Sequence, residues 1–380
     1  MTKKKALITG NIVPTLTYFN KKGHINGQAC RLQAMHALNN GADALFVLGS
    51  TGEGTYLKEL GDEYTIERIK LILVTYDAIL DYSKNSDKSI GLIIGAYGED
   101  AQSVVEDMNK ILATIVSFIK DDFYTYPHIT HKLWDIYLNP SNAKISTDST
   151  IMRSIKTMID GFVVPPPLKK TMNEDELLDF YLKILKKSEY PVYLYNNPKS
   201  FADNVISENV LKKLVKNEEL TNLYGIKDSS VTIEQKKEYL QFLNEGFSVS
   251  CGKEGMIGLF LKQVPVGKRK LAGLVPSLGN MTSNPKIIYK LGLEGKDDQM
   301  MAAQDEMNSF RNLIYDATQS KGKAQRGVKF CFRYLYEDKI PEIPINVRTE
   351  FQREVSYDIH EQMIQTINNC IKKEYIKKVE

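Results

Sequence analysis

Eight short apolar runs recur along the chain, each separated from the next by a stretch long enough to hold an amphipathic helix. They occupy 8–16, 44–49, 89–98, 161–166, 192–197, 223–229, 247–252 and 272–277. Most are continuously apolar rather than alternating, as expected of strands buried on both faces in a parallel sheet. Between them, 26–40 reads as a helix ending in Asn39-Asn40-Gly41, a C-cap signal. Further helices are expected over 101–120, 173–187, 207–216 and 232–244, and the 173–187 segment opens on Asn-x-x-Glu. Eight strand–helix units in succession predict an α/β chain folded as a (β/α)8 TIM barrel. No GxGxxG follows the first run, which argues against a doubly wound dinucleotide-binding sheet.

Two segments depart from the repeat. About 60 residues separate the third and fourth runs, where a barrel needs one helix and short loops. The helix at 101–120 and a second at 149–158 leave 121–148 as an insertion. Because it precedes a strand, it is expected at the N-terminal face, opposite the usual catalytic end. Within it, His128, His131 and Asp135 would share one face if the segment were helical. That spacing matches no metal motif, so an oligomer contact or a family-specific decoration is preferred and no metal is expected. Strand signal fades from 284 onward. The expected organisation is therefore a barrel over 1–283, carrying the insertion, and a C-terminal helical extension over 284–380.

Composition excludes several classes of function. Fifty Lys and Arg against 47 Asp and Glu leave a net charge of +3, which is no electrostatic footprint for nucleic acid. Cys30, Cys251, Cys331 and Cys370 show no CxxC spacing, against a zinc site or disulfide framework and in favour of a reducing compartment. The basic run Lys3-Lys4-Lys5 is not followed by an apolar stretch of secretory-leader length. Nor does any run approach the ~18 apolar residues that cross a bilayer. A cytoplasmic protein without membrane partners is expected.

Barrel enzymes carry their chemistry at the C-terminal ends of strands. The sixth run ends in Gly225-Ile226-Lys227-Asp228-Ser229-Ser230. A lysine in an apolar strand is costly unless paired or used, and the desolvation that depresses its pKa also makes its amine nucleophilic. Taken alone, Lys227 is equally a strand-end lysine reaching to solvent, or one paired with Asp228. Tyr195, ending the fifth run in Tyr195-Asn196-Asn197-Pro198, lies at the same barrel level. Its phenol can move a proton, or it is a core-edge tyrosine. The second run leads into Gly49-Ser50-Thr51-Gly52-Glu53, whose hydroxyls and backbone N–H groups can seat a carboxylate, or simply cap a helix. The seventh run ends at Gly252, with Lys253 and Glu254 behind it.

Together these motifs resemble the dihydrodipicolinate synthase / N-acetylneuraminate lyase family, from Gly10-Asn11-Ile12-Val13-Pro14-Thr15 to about residue 345, interrupted by the insertion. The resemblance implies a Schiff-base lysine at Lys227, a proton-shuttling phenol at Tyr195 and a pyruvate carboxylate held at Ser50 and Thr51. It places Gly49, Gly252, Glu254 and Lys170 among the substrate-binding residues. It implies no metal or organic cofactor, since the iminium is the electron sink, and a homo-oligomer, commonly a tetramer. Departures bear on substrate. Pro167 stands where the synthases carry a tyrosine, and Ser200 where they carry an arginine. Gly252-Lys253-Glu254-Gly255 replaces the Gly-Tyr-Asp-Glu of the lyases. Lys169-Lys170 after the fourth run matches the basic residue of 2-keto-3-deoxy sugar-acid aldolases, or is a solvated loop. The expected activity is a pyruvate-dependent aldolase of that sugar-acid type. Dihydrodipicolinate synthase, N-acetylneuraminate lyase, a hydratase-aldolase and a non-catalytic 2-oxo-acid-binding barrel are the alternatives.

Overall fold

The computed structural model describes residues 7–59, 61, 65–120, 158–316, 323–340 and 357–379. The expected insertion at 121–148, with His128, His131 and Asp135, lies outside the described residues, as does most of the helix expected at 149–158.

Eight parallel strands close into a barrel in chain order. They are β1 Gly10–Pro14, β2 Ala44–Val47, β3 Gly91–Gly95, β4 Gly161–Val164, β5 Val192–Asn196, β6 Leu223–Asp228, β7 Ser248–Cys251 and β8 Ala272–Leu274. Each falls inside its apolar run but is shorter, because the runs continue past the ladder into loops at the strands' C-terminal ends. Every strand residue is buried, which explains the continuous hydrophobicity. Ile12, Phe46, Ile93, Val163, Tyr193, Tyr195 and Val275 belong to the smaller of two buried clusters, while the larger lies among strands and helices. Register sets the level of the site: Tyr195 is opposite Lys227, and Lys227 is opposite Ser250.

The helices follow the local signals. Helix α1 (Gly27–Asn39) is capped by Asn26, which accepts from the Ala29 amide at 3.0 Å. It stops at Asn40-Gly41, where Gly41 takes φ +90° and a Cβ would strike Lys286. Two helices, α2 (Gly54–Glu59) and α3 (Thr65–Ser83), follow β2, and α4 (Ala101–Lys120) follows β3. Helix α5 (Glu174–Lys187) opens on a reciprocal Asn173–Glu176 capping box, as its Asn-x-x-Glu predicts. Ser207 and Thr232 cap α6 (Glu208–Val215) and α7 (Ile233–Leu240). Helix α8 (Ile257–Lys262) follows β7.

From Asn284 the chain is helical wherever it is described as regular structure: α9 (Asn284–Leu293), α10 (Asp297–Asp316), α11 (Lys323–Tyr336) and α12 (Tyr357–Lys372). Helix α9 packs on β1 and α8. Helix α10 lies against the 3-10 turn Glu254–Met256 after β7, and α11 against the turn Ser277–Asn280 after β8. The C-terminal helices therefore cover part of the barrel end where the strands' C-termini emerge. They are tied to α1 through His36, fully buried between Met281 and Tyr336. Its Nε2 lies 3.0 Å from the Met281 carbonyl oxygen, which can only accept, so Nε2 carries the proton. Nδ1 then accepts from the Tyr336 hydroxyl at 2.7 Å. Burial holds this imidazole neutral, its pKa lowered to about 4.

Candidate active site

Alternation along β6 separates its two charged residues. Asp228 faces the helical layer, where it accepts from Lys236 Nζ at 2.9 Å and Asn196 Nδ2 at 2.8 Å. Lys227 turns the other way and is 8% exposed, so it neither pairs with Asp228 nor reaches into open solvent. Its Nζ lies 3.9 Å from the centroid of the Tyr195 ring and 5.0 Å from that of Phe46. Among the described residues no carboxylate pairs with it. The Lys227 head group therefore meets ring faces rather than a counter-ion.

Tyr195 is the centre of a polar cluster around that amine. Its hydroxyl lies 3.3 Å from Ser50 Oγ and accepts from Asn197 Nδ2 at 3.0 Å. Burial alone would push the phenol's pKa up. The charge of Lys227 and hydrogen bonds with Ser50, Ser229 and Asn197 outweigh that and hold it below the usual 10.

The Gly49–Glu53 turn is shaped by two residues with left-handed backbone, Leu48 at φ 59° and Glu53 at φ 56°. Conformations of this kind cost of order 1–3 kcal/mol each and persist where neighbours hold them. Tyr97 donates to the Leu48 carbonyl at 2.6 Å. The Gly54 amide donates to Gly49 O at 3.0 Å, and a Cβ at Gly54 would collide with the Leu48 backbone. Beneath the turn, Glu53 forms a 2.7 Å ion pair with Lys329 of α11, both side chains fully buried. From the same helix Gln325 Nε2 donates to Ser50 O at 3.2 Å, and Thr51 Oγ1 lies 3.0 Å from Ser277 Oγ.

Gly252 closes the cluster from β7. Its amide donates to Asp228 O at 2.7 Å, and a Cβ there would sit 2.9 Å from Lys227 Cε, so glycine is what lets the backbone approach the lysine. Two sequence candidates are placed differently. Glu254 turns to the C-terminal helices, accepting from the Leu278 amide at 2.9 Å and from Tyr315, with Arg311 at 3.6 Å. Lys170 is exposed and lies 3.8 Å from Glu176. Residues that sequence reasoning did not single out complete the site: Asn197, Ser229, Ser277, Gln325 and the Glu53–Lys329 pair. Asn197, Ser229 and Glu53 stood inside quoted motifs, but nothing local to Lys329 points 276 residues back to Glu53. Among the described residues no group of three or more His, Cys, Asp or Glu can hold a metal ion, and no helix is long and apolar enough to cross a membrane.

A phenol thus lies against a buried lysine, beside a hydroxyl-bearing turn with two left-handed residues, on a closed barrel. The model described as the dihydrodipicolinate synthetase family matches residues 7–82 and 150–335, more than half of the chain. The chain belongs to that family. A 4-hydroxy-tetrahydrodipicolinate synthase of Wigglesworthia glossinidia brevipalpis is 23% identical over 65% of this chain, which spans 63% of that relative's length. A 2-dehydro-3-deoxy-D-gluconate/2-dehydro-3-deoxy-phosphogluconate aldolase of Picrophilus torridus is 27% identical over 41% of this chain and 54% of its own. Among solved structures, YagE from E. coli K12, a prophage protein of the dihydrodipicolinic acid synthase family in complex with pyruvate, superposes with TM-score 0.65 at 18% identity. That likeness covers 96% of this chain and all of the other, and it carries the fold.

Proposed function

We propose that this chain is a class I aldolase that forms a Schiff base between Lys227 and pyruvate and makes or breaks a carbon–carbon bond to an aldehyde. The observation that carries the reading is the buried Lys227 amine, without a carboxylate partner among the described residues and packed on the Tyr195 ring at 3.9 Å. Pyruvate's carboxylate would lie against Ser50, Thr51 and their backbone N–H groups. The amine adds to the 2-oxo carbon, and Tyr195 delivers the proton with which the carbinolamine hydroxyl leaves as water. Loss of a methyl proton from the iminium gives an enamine, whose terminal carbon attacks the aldehyde. The new alkoxide takes a proton back, and water releases the product from Lys227. The reverse sequence is aldol cleavage. The iminium is the electron sink, so the reaction needs no metal or organic cofactor.

The favoured substrate type is a 2-keto-3-deoxy sugar acid. Pro167 and Ser200 stand where the synthases of the family carry a tyrosine and an arginine, and Pro167 is buried with no side chain able to move a proton. The Wigglesworthia relative's name favours 4-hydroxy-tetrahydrodipicolinate synthesis as the second reading. Comparing pyruvate release from 2-keto-3-deoxygluconate with formation of 4-hydroxy-tetrahydrodipicolinate separates the two. The chemistry common to both is tested by borohydride reduction in the presence of pyruvate, which should add one pyruvyl mass to a peptide containing Lys227. Equal trapping by Lys227→Ala would sink the proposal.

A further inference from the structure

Two asparagines follow Tyr195 at the end of β5, and their side chains part company. Asn196 is buried toward the helical layer, donating to Asp228 Oδ1 at 2.8 Å and accepting from the Ile206 amide at 3.1 Å. Asn197, just past the strand, turns back to the Tyr195 side. Its Nδ2 donates to the Tyr195 hydroxyl at 3.0 Å and to Ser200 Oγ at 2.9 Å. Both hydrogens of that amide nitrogen are therefore committed.

The turn that carries Asn197 is held from several directions. The Asn197 carbonyl accepts from the Ser200 amide at 2.9 Å, and Pro198 O accepts from the Phe201 and Asp203 amides. Phe201, fully buried, packs edge-on against the Tyr195 ring with centroids 5.3 Å apart. Asn204, also buried, donates to Pro167 O and Lys170 O and accepts from the Met172 amide at 2.7 Å. These bonds tie the turn to the loop after β4. A side chain on such a scaffold keeps its direction before any ligand arrives. What it presents to the phenol is a donor, because an amide nitrogen cannot take the phenol's proton. Lys227 of β6 is the charged group that faces the phenol, and Ser50, Ser229, Asn197 and Phe201 around it are neutral. The phenol's own hydrogen is left to the serine hydroxyls, with Ser50 Oγ 3.3 Å away.

We propose that Asn197 is a positioning residue for Tyr195: its amide holds the phenol oxygen as the proton leaves and keeps the hydrogen directed to the serine side of the site. This rests on the aldolase reading, in which Tyr195 gives its proton to the carbinolamine hydroxyl. The phenol O–H bond and the carbinolamine C–O bond break, water leaves, and the nitrogen lone pair completes the iminium. Until a proton returns, the Asn197 amide donates to a phenolate, and a hydrogen bond to the charged form favours that form.

The phenol can be followed without substrate. The tyrosinate absorption of each protein, less that of its Tyr195→Phe counterpart, gives the titration of Tyr195 alone. Asn197→Ala should raise the pH at which this phenol ionises by about one unit, the weight of one hydrogen bond to a charged group. Asn197→Asp is nearly isosteric and puts an acceptor-only carboxylate in the donor's place, so it should raise that pH further. It carries the test where Asn197→Ala does not fold. An unmoved phenol overturns the inference, and so does a fall, which would make Asn197 an acceptor. In pyruvate-dependent turnover, Asn197→Ala should lower kcat about ten-fold and move the same ionisation in the pH–rate profile, with KM for pyruvate within about two-fold of wild type. A raised KM with unchanged kcat would make Asn197 a substrate contact and overturn the positioning role. If the wild type traps no pyruvate with borohydride, the aldolase reading fails by itself, and the titration still decides whether Asn197 holds the phenol.

Discussion

The barrel interior and the seam between barrel and C-terminal helices each bury a lysine, and they treat it in opposite ways. Lys329, in the seam, is fully buried and sits 2.7 Å from Glu53. Lys227, in the interior, is almost as deeply buried and faces the rings of Tyr195 and Phe46. Lys236 follows the seam's pattern, with Asp228 at 2.9 Å. Burial therefore does not by itself mark a reactive lysine. What distinguishes Lys227 is that ring faces, and among the described residues no carboxylate, meet its head group, whereas a carboxylate partner fixes the ammonium of Lys329 and of Lys236 in place.

The largest expected effect sharpens the interior half of that contrast. Tyr195→Phe keeps the ring under the Lys227 head group but removes the proposed proton carrier, so turnover should fall by about 10²–10⁴. The pH–rate profile should also lose an ionisation that the wild type shows below 10, the direction in which the Tyr195 phenol is displaced. An unchanged profile would return Tyr195 to a packing role.

The contrast can be broken outright by exchanging each lysine for methionine. Lys329→Met removes one member of the fully buried 2.7 Å ion pair with Glu53 and should cost about 3–5 kcal/mol of stability in urea unfolding, with Glu53→Gln recovering part of the loss in the double variant. Lys227→Met removes a cation that has no carboxylate partner among the described residues and should stay within about 1 kcal/mol of wild type. Equal destabilisation would mean that both lysines are structural.

A smaller effect tests how the seam is closed. Neutral His36 is the form the fold stabilises, with a pKa lowered to about 4 against 6.5 for the unfolded chain. Below pH 6.5 the unfolded state takes up a proton that the folded state refuses until about 4. Stability should therefore fall as pH drops through that window, by about 3 kcal/mol in all, and level off below it. Unfolding curves at pH 7, 5.5 and 4 should show the slope, and His36→Gln should flatten it.

Much of this was legible in the chain. The barrel could be read because strands buried on both faces leave unbroken apolar runs, and caps at Asn26 and Asn173 depend only on near neighbours. Lys227, Tyr195 and the Ser50–Thr51 turn could be read because strand ends in a parallel barrel share one face. The partnership of Lys227 could not: alternation sends Asp228 to the helical layer, and only the assembled fold shows that Lys236 meets it there. Glu254 stands in a strand-end motif like the others, yet its direction is set by Leu278, Tyr315 and Arg311, none of them local. Runs also overstate strands, since an apolar loop crossing the barrel rim reads like more ladder.

The Glu53–Lys329 pair has a consequence for the order in which the molecule comes into being. All eight strands and Lys227 leave the ribosome before α11 does, so the barrel can close around Lys227 while Glu53 still awaits Lys329. The turn proposed to seat the substrate's carboxylate gains its Lys329 contact only when a helix made some 276 residues later docks beneath it. On the proposed mechanism, the nascent chain would thus carry its nucleophile before it has a finished seat for what that nucleophile attacks.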